Sequence, residues 1–210
     1  MKKIILVLIS LFVVNLIQAQ QKAVTETGEE VILYHDGTWK FTNEIQPSES
    51  EIPTNFNKFT KDEGSTFLLK SSKLNIGFWL NPKIWTFTKA VINKDGEFDL
   101  KYKDGDLYGM IITEKFEIPL ESLRSIAVKN GQKVAPDLKI VKEEYRTVNG
   151  LKVLLLQLVG TTQGIKFSYY GYYFSSSSGT VQFMTYTSKN LIESYKPKIE
   201  LLLNGLVELN

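Results

Sequence analysis

The chain has no cysteine and only one histidine in 210 residues. The first absence excludes a disulfide framework, a thiol nucleophile and a lipid-modified N-terminal cysteine. The second leaves His35 alone to build any Ser-His-Asp triad or multi-histidine metal centre, which those sites cannot do with one imidazole. Charge of one sign is also missing: 25 Lys plus Arg face 23 Asp plus Glu, so no footprint for nucleic acid or an anionic membrane surface is present. No apolar run reaches the roughly 20 residues that cross a bilayer as a helix.

What the N-terminus does have is Lys2 and Lys3 ahead of an apolar run from Ile4 to Val14, then a polar exit at Asn15, Gln18 and Ala19. This is the three-part layout of a secretory signal, with cleavage expected after Ala19. Loss of that segment removes two lysines and makes the mature chain formally neutral. Without disulfides in an oxidising compartment the fold must rest on its core, for which 43% hydrophobic residues suffice. The expectation is a globular protein released to the periplasm or, second, secreted.

Residues 20–41 contain Thr27-Gly28 and Asp36-Gly37 turn signals around the β-rich run Val31 to Tyr34, which predicts a small β-meander. Trp39 and Phe41 fall on one face of its last strand, and so short a segment cannot bury them itself. They are candidate ligand-binding residues. His35 reads as a turn residue beside Asp36-Gly37. Residues 42–57, TNEIQPSESEIPTNFN, carry two prolines, three glutamates and no lysine or arginine, the composition of a linker.

Residues 58–210 form the main α+β domain. Strands are expected at Thr66 to Lys70, Leu74 to Leu80, Thr86 to Ile92, Glu97 to Lys101 and Leu107 to Thr113, with Lys94-Asp95-Gly96 and Lys103-Asp104-Gly105 as turns. A short helix starts at Pro119, carries Leu120, Leu123 and Ala127 on one face and is expected to stop at Gly131. Four long strands follow: Leu138 to Tyr145, Leu151 to Val159, Ile165 to Phe174 and Val181 to Thr187. The near-continuous apolar run KVLLLQLV predicts a strand covered on both faces in mid-sheet. Ser188 can cap a terminal helix with Ile199, Leu202, Leu203 and Leu206 as its apolar stripe, kinked or restarted at Pro197.

Three stretches, LNIGFWLNPKIW, VNGLKV and GIKFSYYGYYF followed by TVQFMTYTS and YKPKIELLLNGL, give the region from about Phe67 to Leu209 a layout that resembles the PsbP-like fold, including envelope proteins of the DcrB type. The resemblance implies an antiparallel sheet flanked by helices, and a scaffold that acts mainly by binding; it implies no particular reaction or functional residue. The segment HDGTWKF resembles a short Asp-Gly-Thr-Trp element of small exported bacterial proteins, which tilts the compartment toward a Gram-negative envelope.

Three groups of residues bear on chemistry. Asp95, Glu97, Asp99, Asp104 and Asp106 are acidic and closely spaced, but they miss the calcium-loop pattern and are interleaved with Lys94, Lys101 and Lys103, so they read as solvated turns. Glu143 and Glu144, adjacent on a strand, point to opposite faces and do not form a catalytic pair. The run FSYYGYYF puts Phe167, Tyr169, Gly171 and Tyr173 on one face and Tyr170, Tyr172 and Phe174 on the other. Aromatics on both faces fit a central strand beneath helices, or one face lining a groove for a peptide or glycan; Tyr170 and Tyr172 are the candidate groove residues. The expectation is a noncatalytic envelope protein that binds a protein, peptide or polysaccharide, with no cofactor and no metal. The alternative is a periplasmic or secreted hydrolase working through carboxylates.

Overall fold

A computed structural model describes residues 21–25, 30–34, 37–41, 52–91 and 93–209. The expected signal segment, the Thr27-Gly28 turn, His35 and Asp36, and residues 42–51 of the expected linker lie outside the described residues. The described chain divides into two units between Ser50 and Glu51.

In the first unit β1 (Gln21–Val24), β2 (Glu30–Leu33) and β3 (Trp39–Phe41) form a three-stranded antiparallel sheet in the order of the sequence. Gly37 has φ of +82°, the left-handed region that glycine enters without steric cost.

The second unit contains β4 (Thr54–Phe59), β5 (Phe67–Lys70), β6 (Ile76–Leu80), β7 (Trp85–Lys89), β8 (Gly96–Tyr102), β9 (Tyr108–Glu114) and α1 (Leu120–Val134). It continues with β10 (Lys139–Val148), β11 (Leu151–Thr162), β12 (Ile165–Ser176), β13 (Gly179–Ser188), a 3-10 turn at Lys189–Leu191, α2 (Ile192–Leu203) and β14 (Leu206–Glu208). Eight strands make the main sheet in the order β4-β10-β11-β12-β13-β9-β8-β7, and β14-β6-β5 make a second, three-stranded sheet. Every pairing in the main sheet is antiparallel except β4 with β10.

The pattern of side chains dictates the layers. Along β11, Val153 and Leu155 point into one cluster with Tyr170, Tyr172 and Phe183, while Leu154, Leu156 and Leu158 point into another with Tyr173 and Met184. The first cluster is closed by Ile199, Leu202 and Leu203 of α2 and by Ile76, Phe78, Leu80 and Leu206 of the small sheet. The second is closed by Leu123 and Ala127 of α1. A strand with helices over both faces has no solvent face, which is why its sequence shows no alternation. Asn149 and Gly150, with φ of 48° and 88°, make the tight turn between β10 and β11, as the Asn-Gly pair predicts.

Four expectations are corrected. Thr54 to Asn57, placed in the linker, belong to β4, an edge strand that runs parallel to β10. Its polar residues misled because an edge strand has one unpaired side and tolerates polar chemistry; Tyr145 donates its amide to the Pro53 carbonyl at 2.8 Å and Asn149 to that of Phe59 at 2.9 Å. α1 runs through Gly131 to Val134, since the glycine lets Leu138 Cδ1 come within 2.8 Å of where a Cβ would stand. Pro136 ends that helix, because the residue before a proline avoids helical angles. α2 does not restart at Pro197 but runs continuously from Ile192 to Leu203, anchored by the buried Ile199, Leu202 and Leu203. Finally, Leu206 lies beyond the helix, in β14: Trp79 donates its amide to the Gly205 carbonyl at 2.8 Å, and a Cβ at Gly205 would sit 1.9 Å from the Trp79 carbonyl oxygen.

Candidate functional site

Tyr170 and Tyr172 are 0% exposed, beneath α2, so neither ring lines a surface groove. Burying two phenols requires partners for their hydroxyls, and Arg146 supplies the centre. Its side chain, 3% exposed, donates to Glu144 at 2.6 Å, to Tyr172 at 3.0 Å, to Tyr170 at 3.3 Å and to Glu200 of α2 at 3.2 Å. The Tyr170 hydroxyl in turn donates a hydrogen bond to Glu200 at 2.7 Å and that of Tyr172 to Asn204 at 2.9 Å. The guanidinium also lies 4.3 Å from the Phe59 ring centroid. Burial, aided by Glu200 and Glu144 against the opposing charge of Arg146, pushes the Tyr172 hydroxyl up to about 12.

The expected divergence of the adjacent glutamates holds. Glu143 faces α1, where Arg124 donates to it at 2.9 Å, and Glu144 faces the Arg146 network. Burial raises the Glu144 carboxyl, but hydrogen bonds from Arg146 and Asn55 and the nearby positive charge hold it below its ordinary value. Glu144 on β10 and Glu200 on α2 share the Arg146 guanidinium, which ties α2 to the sheet.

Of the acidic cluster in the β7–β9 region, Glu97 departs from the reading as a solvated turn. It is buried, and it accepts from the Thr113 hydroxyl at 2.5 Å and from the Ser71 and Ser72 hydroxyls at 2.7 Å. Burial alone would raise its carboxyl; these hydroxyls and the Ser72 amide lower it overall. It ties the loop after β5 to β8, a role that alternation along the strand could not reveal because a register shift occurs between Gly96 and Phe98.

In the first unit Trp39 is 41% exposed, and its ring meets Phe41 edge-to-face at 5.1 Å. Both lie on β3, as expected.

An aromatic surface not anticipated from the sequence lies on the α1 face of the main sheet. The register places Tyr169, Tyr186, Tyr108 and Lys101 directly opposite one another on β12, β13, β9 and β8. All three tyrosines are partly exposed. Tyr108 and Tyr186 stack at 5.5 Å and 19°, Tyr186 meets Tyr169 at 5.7 Å, and Phe167 extends the row at 5.1 Å. Lys101 Nζ stands 5.8 Å from the Tyr108 ring centroid. Burial, then the Asp99 carboxylate and the neighbouring phenols, raises the Tyr186 hydroxyl. A shallow depression of about 440 Å³ near the start of β12 and the end of β13 is lined by Ile165, Lys166, Ser188, Lys189 and Asn190. Phe167 pairs with Ser188, and Lys166, next to it on β12, alternates to the opposite face of the sheet. The strand alternation put Phe167 and Tyr169 on one face, but Tyr108 and Tyr186 join them only through a cross-strand register that no local pattern encodes.

This arrangement, an eight-stranded antiparallel-rich sheet with α1 and α2 on opposite faces, is a PsbP-like fold. CyanoP, the cyanobacterial PsbP of Synechocystis, superposes with a TM-score of 0.54 at 9% identity over 70% of this chain and 94% of that one. A putative regulator of unknown function from Pseudomonas aeruginosa (TM-score 0.43, 11% identity, 67% and 95% coverage) and LpqN, involved in cell envelope biogenesis of Mycobacterium tuberculosis (TM-score 0.38, 10% identity, 59% and 83%), are also similar. Only the first supports the fold comparison. No family model and no curated protein matches the sequence.

Proposed function

We infer that this is an exported envelope protein that works by binding an extended partner on the open part of its main sheet. The observation that carries this reading is the row of Tyr169, Tyr186 and Tyr108, three partly exposed aromatics aligned across adjacent strands where α1 leaves the sheet uncovered. Tyrosine contributes a large, stiff contact area with a polar tip, the chemistry enriched in binding surfaces. Glu143 is engaged by Arg124, and Glu144 and Glu200 by Arg146. Trp39 and Phe41 of the first unit provide a second aromatic surface. Export rests on the Lys2, Lys3 and apolar-run layout, and among the described residues no helix is long and apolar enough to cross a membrane.

Oxidative footprinting tests the binding face. Tyr108, Tyr169 and Tyr186 should lose reactivity when the purified protein is mixed with envelope extract, while Trp79 in the second unit stays unchanged. Unchanged labelling of all three tyrosines would overturn the proposal. Intact mass of protein recovered from the producing cell tests export: a chain beginning at Gln20 is expected, and the full 210-residue mass would refute processing.

A further inference from the structure

β7 ends the main sheet, and among the described residues no strand pairs with its outer side. Its residues from Thr86 to Lys89 are all exposed. The Ala90 amide donates to the Glu97 carbonyl at 3.1 Å and the Lys103 amide to the Ile84 carbonyl at 2.9 Å. In an antiparallel ladder every second residue turns both its backbone groups to the same neighbour, so Thr86 and Thr88, in step with Ile84 and Ala90, spend theirs on β8. Phe87 and Lys89 turn theirs outward, a template for one more strand.

Beside that edge lies an apolar surface. Phe87 stacks on Phe67 of β5, the edge of the small sheet, at 5.2 Å and 30°, and the two rings stay 37% and 40% exposed. Val91, just beyond β7, is 84% exposed. The edge is also complementary to itself. Two copies of β7 paired antiparallel about a two-fold axis at Phe87 set Phe87 against Phe87, Thr86 against Thr88 and Trp85 against Lys89. Aromatic and threonine pairs are favoured across strands, and like charges directly opposite are not. This register has no such like-charge pair, since the two copies of Lys89 stand about 14 Å apart along the strands. Within each copy Lys101 lies opposite Thr86 and Asp99 opposite Thr88, so each row that crosses the axis carries a lysine at one end and an aspartate at the other.

We propose that the β7 edge is a homodimer interface through which two copies of this chain join their main sheets into one. Main-chain hydrogen bonds form between the two Phe87 residues and from each Lys89 amide to the opposite Trp85 carbonyl, and Phe67 and Phe87 of both copies make one aromatic cluster. The two-fold axis runs perpendicular to the sheet, so the α1 faces of both copies, with their tyrosine rows, lie on the same side. The pairing uses no residue of those rows.

Sedimentation equilibrium of the purified chain, from micromolar to near-millimolar concentration, tests it. The contact is small, so a reversible dimer in the micromolar range or weaker is expected. Lys89→Pro removes an outward amide and no bond to β8; it should weaken association at least about tenfold and keep the parent's melting temperature. Thr86 and Thr88 are exposed, so charges placed there probe the register without touching the core. Thr86→Glu with Thr88→Lys sets opposite charges face to face across the axis and should tighten the dimer about threefold, while Thr86→Lys with Thr88→Lys sets like charges there and should loosen it by a similar factor. A monomer at every concentration overturns the proposal. So does a dimer that withstands Lys89→Pro, or one in which the two threonine double variants associate equally, since another surface or another register then makes the contact. If Lys89→Pro lowers the melting temperature, the threonine variants decide alone.

Discussion

Arg146→Ala is the sharpest test of how the sheet holds α2. The guanidinium is buried and serves two carboxylates and two phenols, at 2.6 Å for Glu144, 3.0 Å for Tyr172, 3.2 Å for Glu200 and 3.3 Å for Tyr170. Truncation leaves Glu144 with its side chain 13% exposed and without its main counter-charge. Breaking a buried ion pair by removing one partner costs about 3 to 5 kcal/mol. Glu200 is 30% exposed and can recover water, which places the expected loss near the lower end, about 3 kcal/mol. For a domain of roughly 150 to 250 residues that is a fall in melting temperature of about 6 to 12 °C. Arg146→Lys should rescue little, since one ammonium cannot span four acceptors in the fixed fork of a guanidinium. Arg146→Met combined with Glu144→Gln should recover part of the loss, because the stranded charge is gone. Circular-dichroism melts at pH 7 read all three. A loss below about 1 kcal/mol for Arg146→Ala would refute the reasoning, showing that the network is hydrated in solution and does not pin the helix.

Tyr170→Ala and Tyr172→Ala should each cost about 3 to 5 kcal/mol as buried aromatic truncations, against about 1 kcal/mol for the partly exposed Tyr186→Ala; thermal melts that rank Tyr186 with the other two would contradict the two-layer description. Gly171→Ala should destabilise by about 1 to 3 kcal/mol, measured by urea unfolding, because the new methyl would lie 2.6 Å from Met184 Cβ. Glu97 and Glu144 are held below their ordinary values, so the stability they contribute is present above the unfolded carboxylate pKa, about 4.3, and is lost as pH falls through the folded values. Glu97→Gln should therefore lose stability at pH 7 and converge on the parent in acid; parallel pH curves would sink that assignment. Limited proteolysis should cut within residues 42–51 and leave a resistant fragment that includes β4, and a cut that removes Thr54 to Phe59 would show that the parallel edge pairing is not held.

Much of the sheet was legible because its signals are local. Lys-Asp-Gly and Asn-Gly turns, apolar runs such as KVLLLQLV and aromatics on both faces of FSYYGYYF set the number of long strands, their order along the chain and the central place of β11 and β12. Alternation likewise separated Glu143 from Glu144, since successive strand residues must point to opposite faces. Partners distant in sequence were not legible. The polar segment Thr54 to Asn57 is a strand only because β10 has a free edge to receive it, and Leu206 leaves the helix only because Trp79 draws Gly205 into the small sheet. The fate of the tyrosines shows the division most plainly. Sequence alone decided that Tyr170 and Tyr172 share one face and Tyr169 takes the other. Only the tertiary structure decided which face lies under α2 with Arg146 and which stays open beside Tyr186 and Tyr108, because burial depends on where a helix lands and cross-strand neighbours depend on register, and neither quantity is written in any one segment of the chain.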